Sequence, residues 1–246
     1  MMTTSEFKHI IVNKADGVTE VTLHTDGGPL VWTATAALEL TDLLRRTALD
    51  PETKAMILTG TGAEWCDKLE PAEFQAMGWR RVWALEQNLL NSMMDLNTIV
   101  IAAINGPVSI HSDLPILADI VLACPEAVFT DRYHFKRNVV PGDGVHLVWS
   151  SIIGRSRATY FCLTGERLSA ERAKELGAVH EIHGQADLLP RARELARGLA
   201  ARPAATLAYS KAALRLRDRR NFRQDLSHSL SLQGLGMHAT GFAGRE

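Results

Sequence analysis

The stretch INGPVSIHSDLP, residues 104–115, joins two apolar segments of the chain. Residues 98–104 are mostly β-branched and aliphatic, which is typical of a buried strand, and Asn105 and Gly106 mark a turn directly after it. A second apolar run follows the turn. We therefore expect residues 105–115 to form a strand-to-helix turn between two buried elements.

Strand-like and helix-like runs alternate along the first two thirds of the chain. Residues 18–24 and 54–59 have the apolar patterns of strands, and residues 35–49 and 72–94 carry apolar residues at helical spacing. Four leucines of the first helix are expected to face the core: Leu38, Leu40, Leu43 and Leu44. Repeated β-then-α units of this length predict an α/β fold with buried parallel strands.

The last third of the chain is predicted to be helical. The predicted helices cover residues 169–176, 188–201, 204–217 and a final segment from residue 225 onward. Ser169 has the character of an N-cap residue before a charged first turn. The Gly- and Ala-rich tail at residues 234–246 is expected to fray.

Composition limits the classes of partner. The 246 residues carry a formal net charge of −1, which argues against electrostatic binding of nucleic acid or acidic membranes. No apolar run reaches the roughly 18 residues that a membrane helix needs, and residues 1–8 lack the apolar core of a signal peptide. The widely spaced Cys66, Cys124 and Cys162 favour a reducing, cytoplasmic location. No metal-ligand spacing and no nucleotide-binding loop is evident, so neither a metal nor a cofactor is expected.

Two parts of the chain resemble the crotonase (enoyl-CoA hydratase/isomerase) superfamily. Where the superfamily usually has three glycines after its Asn-Gly turn, this chain has Ile110, His111 and Ser112. Residues 154–179, which include LTGERLSAERA and then GAV, are similar to a second motif of the superfamily. The resemblance implies an α/β fold with a crotonase-like ββα spiral core.

The same resemblance implies a domain organisation and an assembly. Residues 1–190 would form the spiral core, and residues 191–246 would form a C-terminal helical trimerisation region. The protein is accordingly expected to form a homo-trimer, or a hexamer built as a dimer of trimers, and to act on a small molecule.

In this superfamily, two backbone amides form an oxyanion hole that stabilises an enolate. The resemblance assigns the first donor to Leu69, in the run WCDKLE, and the second to the turn at His111. An amide N–H does not depend on its side chain, so these changes of residue need not remove the hole. The two catalytic glutamates of the hydratases have no clear pair of counterparts in this sequence.

A more specific likeness is to the β-diketone hydrolases of the 6-oxocamphor hydrolase type. The runs that carry it are LVWT at 30–33, NGPV at 105–108 followed by His111, and FTDRYHFKRNVVPGDG at 129–144. The likeness implies that His134 and Asp143 activate a water molecule, while Trp32 and His111 line the substrate. One departure is Ala37, because the relatives carry a histidine there.

This likeness predicts hydrolytic cleavage of a carbon–carbon bond, a retro-Claisen reaction, that converts a cyclic β-diketone to a keto acid without coenzyme A. A histidine with a near-neutral pKa, oriented by a carboxylate, can deprotonate water. His134 and Asp143 are nine residues apart, so the loop between them must double back. The run VPGD at 140–143 predicts a type II turn.

Two other functions remain open. The chain could be an enoyl-CoA hydratase or isomerase acting on an acyl-CoA thioester, or a non-catalytic oligomeric protein with the same fold. Five arginines between residues 215 and 223 could serve coenzyme A phosphates, although we interpret them as a solvated helix end.

Overall fold

The computed structural model describes residues 6–241 as a mixed α/β fold. Its strands are β1 (Ile10–Ala15), β2 (Val18–Leu23), β3 (Leu30–Trp32), β4 (Ala55–Gly60), β5 (Cys66–Leu69), β6 (Ile99–Ile104), β7 (Ile120–Ala123), β8 (Val128–Phe129), β9 (Leu168–Ser169) and β10 (Glu181–Ile182). Its helices are α1 (Ala34–Leu49), α2 (Ala72–Met77), α3 (Trp79–Asp95), α4 (Asp113–Ile116), α5 (Val145–Ile153), α6 (Arg155–Thr164), α7 (Ala170–Glu175), α8 (Gln185–Ala200), α9 (Ala204–Leu214) and α10 (Leu216–Thr240).

The larger sheet has six strands in the order β1-β2-β4-β6-β7-β10. The pair β1 and β2 is antiparallel, and every later pairing in this sheet is parallel. β6 is almost entirely buried, as expected of a parallel strand covered on both faces. The predicted α/β architecture with buried parallel strands is confirmed.

The remaining strands form a smaller layer, and the segments that follow them lie close together. β3 and β5 are parallel, β8 and β9 are antiparallel, and Val108 bridges Cys66 of β5 to Phe129 of β8. The segments that follow these strands therefore leave the layer side by side. This arrangement brings together parts of the chain that are about 100 residues apart in sequence.

Helix α1 confirms the predicted helix but corrects one of its core residues. Thr33 caps it, because its hydroxyl accepts a hydrogen bond from Ala36 N–H at 3.0 Å. Leu40, Leu43 and Leu44 are buried, whereas Leu38 is 51% exposed. Residues 40, 43 and 44 share one helical face, while Leu38 lies about 200° around the axis from Leu40, at 100° per residue.

The single helix predicted over residues 72–94 is wrong, because Gly78 divides it into α2 and α3. Gly78 has φ +75° and ψ 151°, a conformation that ends one helix and starts another in a new direction. The predicted N-cap at Ser169 is confirmed, since its hydroxyl accepts a hydrogen bond from Arg172 N–H at 3.2 Å.

The tail does not fray at the position predicted. Residues 234–240 continue α10, and residues 242–246 lie outside the described part of the chain. Two glycines of α10 allow close packing against other residues. If they carried a Cβ atom, the one on Gly234 would lie 2.1 Å from the Trp79 indole nitrogen, and the one on Gly236 would lie 2.6 Å from Val140. The domain boundary predicted at position 190 falls inside α8 and stays a prediction.

Arginines at the start of α10 attach this helix to the core. Arg215 donates to the carbonyls of Leu117 and Ala118, and Arg219 donates to that of Met94. The interpretation of this arginine run as a merely solvated end is therefore wrong for these two side chains. Within residues 6–241, no helix combines the length and apolar character needed to cross a bilayer.

Candidate active site

The turn after β6 is built around Asn105 and Gly106. The Asn105 side chain accepts a hydrogen bond from Gly60 N–H and donates to the Gly62 carbonyl. A Cβ on Gly106 would lie 2.1 Å from the Ala63 carbonyl oxygen, so only glycine fits there. These contacts fix where the following residues leave the sheet.

His111 has the backbone conformation of a glycine. Its φ is +48°, in the left-handed region, and most non-glycine residues avoid that region. This turn therefore carries an imidazole on a backbone conformation that glycine adopts most easily. Its N–H donates no hydrogen bond to any residue in the range 6–241.

The His111 ring lies among a tryptophan and two carboxyl groups. The Trp32 and His111 ring centroids are 4.7 Å apart. Nε2 of His111 is 3.7 Å from Oε2 of Glu86, and Nδ1 is 3.5 Å from Oδ1 of Asp113. Both separations are ion-pair contacts too long for a good hydrogen bond, so the imidazole N–H groups remain available to a ligand.

Trp32 and Leu69 face each other at the ends of β3 and β5. Glu70 N–H donates to the Trp32 carbonyl at 3.0 Å, so the preceding amide of Leu69 points away from β3, because amide directions alternate along a strand. That direction is the side on which Val108 pairs with β5. The Leu69 amide is therefore directed towards the segment that carries His111.

His134 lies between two carboxylates. Its Nδ1–H donates to Asp131 at 2.9 and 3.0 Å from the two carboxylate oxygens, and its Nε2 is 2.9 Å from Oδ2 of Asp143. Asp131 also accepts hydrogen bonds from the N–H groups of Tyr133 and His134. Asp131 therefore fixes the ring, and the Nε2 edge points to Asp143.

The loop from His134 to Asp143 does double back. The His134 carbonyl accepts hydrogen bonds from the N–H groups of Arg137 and Val139. The predicted type II turn is wrong, because Gly142 does not adopt a positive φ and its N–H instead donates to Val140 two residues back, at 2.8 Å.

Burial and neighbouring charges shift the pKa values of this cluster strongly. Burial raises the pKa of Glu86 to about 7, against the opposing effect of His111. Burial alone would lower the pKa of His111, but Glu86 and Asp113 outweigh it and raise that pKa to about 10. His111 is therefore a cation at neutral pH.

The His134 pKa departs from the near-neutral value expected from the sequence. Burial lowers it, but Asp143 and then Asp131 outweigh burial and hold the pKa of His134 well above its usual range. Burial raises the pKa of Asp143, yet the adjacent His134 holds it well below its usual range. The unliganded pair is therefore an imidazolium beside a carboxylate.

Several buried polar atoms of this cluster have no hydrogen-bond partner within residues 6–241. They are Trp32 Nε1, Glu86 Oε2, His111 Nδ1, both carboxylate oxygens of Asp113 and Asp143 Oδ1. Buried polar groups are rarely left without partners, so a concentration of them marks a place prepared for a polar ligand. Three predicted site residues, Trp32, His111 and Asp143, carry atoms of this group. His134 is paired with Asp143, and Leu69 lies opposite Trp32.

The sequence profile of the enoyl-CoA hydratase/isomerase family matches residues 13–236. The chain belongs to this family. A solved structure with the same fold is a β-diketone hydrolase from Anabaena sp. PCC 7120, bound to (S)-3-oxocyclohexyl acetic acid. It superposes with a TM-score of 0.91 at 32% identity, covering 94% of this chain and 95% of that one. The resemblance to the crotonase superfamily is confirmed.

Curated relatives in the crotonase superfamily carry coenzyme A names. A probable peroxisomal enoyl-CoA hydratase of Arabidopsis thaliana is 24% identical over 96% of this chain and 88% of its own length. The 1,2-epoxyphenylacetyl-CoA isomerase of Escherichia coli K12 is 29% identical over 72% of this chain and 70% of its own length. Sequence similarity thus establishes the family, while the reaction is a separate question.

Three acidic residues of this site, Glu86, Asp113 and Asp131, were not among the site residues predicted from the sequence. Glu86 lies on the buried face of α3 with Leu85, Leu89 and Leu90. The sequence signal for Glu86 was a single acidic residue among the apolar residues on one face of a predicted helix. Asp131 stands three residues before His134, and its role depends on a local turn that the spacing does not reveal.

Proposed function

We propose that this protein hydrolyses a carbon–carbon bond of a cyclic β-diketone to form a keto acid, without coenzyme A. The observation that carries the proposal is the approach of His134 to Asp143 beside the unpartnered donors of Trp32 and His111. A diketone presents two carbonyl oxygens, and the site offers donors for both. The Anabaena neighbour, described as a β-diketone hydrolase, supports the same reaction class.

The first step is attack of water on one carbonyl carbon. The neutral form of His134, oriented by Asp131, takes a proton from the water as the new C–O bond forms. The resulting alkoxide receives hydrogen bonds from cationic His111 and from the amides of Leu69 and His111. Each well-placed donor of this kind is worth about 3 kcal/mol in related oxyanion sites.

The second step breaks the bond between that carbon and the carbon flanked by the two carbonyls. The electron pair moves into the second carbonyl as an enolate, whose oxygen accepts a hydrogen bond from Trp32 Nε1–H. Glu86, with a pKa of about 7, is the carboxyl group that we assign to protonate the enolate carbon. His134 then loses the proton that it took from water, and Glu86 regains a proton from the solvent. Both residues return to their starting states, and the sum of the reaction is the addition of one water.

We also propose the trimeric or hexameric assembly, through the C-terminal helices. Large apolar side chains are exposed on α9 and α10: Tyr209, Leu214, Leu216, Leu232 and Leu235. Exposed apolar groups concentrated on two helices are typical of an oligomer surface. Sedimentation velocity tests this, and a monomer at micromolar concentration would contradict it.

The second candidate is a hydratase or isomerase of acyl-CoA thioesters, which the names of the curated relatives favour. Turnover separates the two. Monocyclic and bicyclic 1,3-diketones are incubated with the protein and followed by loss of ultraviolet absorbance and by product chromatography, in parallel with crotonyl-CoA. Our proposal predicts keto acid formation; consumption of crotonyl-CoA alone would reverse the choice, and loss of neither substrate would favour a non-catalytic role.

A further inference from the structure

We propose that Asp67, Ser109 and Arg132 form a clasp that holds the catalytic groups at their working distances. The expected effect of the clasp on kcat rests on the proposed function. Its members come from three separate segments of the chain, and none of them is a group that we place against the substrate. They are positioning residues.

The three side chains bond to one another in a closed set. Ser109 Oγ–H donates to one oxygen of the Asp67 carboxylate, and Arg132 Nη2–H donates to the other. Arg132 also donates to Ser109 Oγ at 2.9 Å and to the Asp67 carbonyl at 3.3 Å. Each member therefore contacts the other two, so moving one segment strains both remaining contacts.

The clasp begins where the backbone bridges among these three segments end. Val108 is bridged to Cys66 on one side and to Phe129 on the other, and this is the last rung that all three segments share. Asp67 directly follows Cys66, and Ser109 directly follows Val108. Arg132 lies three residues after Phe129. Beyond the bridges of Val108, side-chain hydrogen bonds connect these three segments.

Each member of the clasp is within two residues of a proposed site group. Asp67 precedes Leu69 by two residues, and Ser109 precedes His111 by two. Arg132 directly follows Asp131, the carboxylate that orients His134. The clasp therefore sets the spacing between the two amide donors and the imidazole that activates water. Misplacement of reacting groups by about 1 Å can cost on the order of 100-fold in rate.

Burial makes the clasp testable by substitution. Ser109 is buried, the Asp67 side chain is 22% exposed, and the Arg132 side chain is 44% exposed. Substitutions at Arg132 can therefore change the contacts without opening the core. A half-exposed arginine that formed only a structural ion pair would contribute little to stability.

The experiment compares Arg132→Gln, Arg132→Lys and Asp67→Asn with the wild-type protein. Arg132→Gln is expected to lower kcat on the diketone between about 10- and 100-fold with little change in KM, because the groups that bind the substrate remain. Arg132→Lys retains the charge and is expected to recover part of the loss. The double variant Arg132→Gln with Asp67→Asn is expected to be no slower than the worse single variant, since both remove the same contact.

Arg193→Gln is the matched control, because it breaks another exposed arginine–carboxylate pair, that of Arg193 with Glu20. The amide signals of Leu69 and His111 in ¹H–¹⁵N spectra provide a second readout that needs no substrate. Arg132→Gln is expected to shift both signals, and the control neither. Unchanged signals would overturn the clasp, as would wild-type kcat in Arg132→Gln; shifted signals in a protein with no diketone turnover would support the clasp and reject the proposed function instead.

Discussion

Nε2 of His134 lies 2.9 Å from Oδ2 of Asp143, although nine residues separate them in sequence. The contact exists because the His134 carbonyl accepts hydrogen bonds from Arg137 and Val139, which turn the loop back on itself. Asp131 holds the opposite side of the ring. An imidazole fixed between two carboxylates is strongly biased towards its protonated form.

The first prediction concerns the pH dependence of the rate. The raised pKa of His134 means that it keeps its proton to a higher pH than a free imidazole does, and a protonated ring cannot take a proton from water. We expect kcat/KM to rise with pH through a midpoint above the ordinary histidine value of 6.5. Profiles from pH 5 to 10 measure it; a rate independent of pH across this range would contradict the assignment of His134.

Asp131→Asn tests the cause of that raised pKa. Asparagine keeps the shape and can still accept the hydrogen bonds from the N–H groups of Tyr133 and His134, but it removes one of the two flanking charges. The midpoint of the kcat/KM profile is expected to move to lower pH. A midpoint that stays in place would show that Asp131 does not control the proton affinity of His134.

The backbone of His111 gives a prediction about stability and activity together. At φ +48°, asparagine is tolerated, whereas valine is disfavoured by about 1 kcal/mol or more. We expect His111→Asn to fold and to lose about 100-fold in kcat, as for removal of an oxyanion donor. His111→Val should be equally inactive and should melt at a lower temperature than His111→Asn. Equal melting temperatures would argue against strain at this position.

Unfolding at different pH values tests the charge on His111. A folded-state pKa of about 10, against 6.5 for an ordinary histidine, means that this group stabilises the fold fully below about pH 6.5 and that its contribution is lost as the pH rises towards 10. The free energy of unfolding in urea is therefore expected to fall between pH 7 and pH 9. The decrease should be smaller in His111→Asn; an identical decrease would contradict a charged His111.

The elements of the fold followed from local pattern, and the errors arose where tertiary contacts overrode it. The N-cap at Ser169 and the buried strand β6 were predictable, because hydroxyl capping and a continuous apolar run are local signals. The break at Gly78 was missed, since an isolated glycine inside an apolar helical pattern is often tolerated. The helical tail was missed because Gly234 and Gly236 gain close contacts with Trp79 and Val140 that no local rule reveals.

The candidate site was predictable only in part. Trp32, His111, His134 and Asp143 were expected from resemblance to other proteins, and the structure brings them into one cluster. Glu86 lies on α3, 25 residues before His111, so its position in the site depends on how α3 packs. The near-neutral pKa expected for His134 was wrong because two carboxylates, rather than one, flank the ring.

Asp143→Asn, measured on the diketone that the wild-type protein cleaves fastest, tests the central claim most directly. Asparagine has the same shape but removes the charge that stabilises the imidazolium formed when His134 takes a proton from water. We therefore expect kcat to fall by about 100-fold or more while circular dichroism and melting remain close to wild type. Asp225→Asn, at an exposed carboxylate on α10, is the control and should retain full activity. Wild-type turnover by a folded Asp143→Asn protein would contradict water activation by the His134–Asp143 pair.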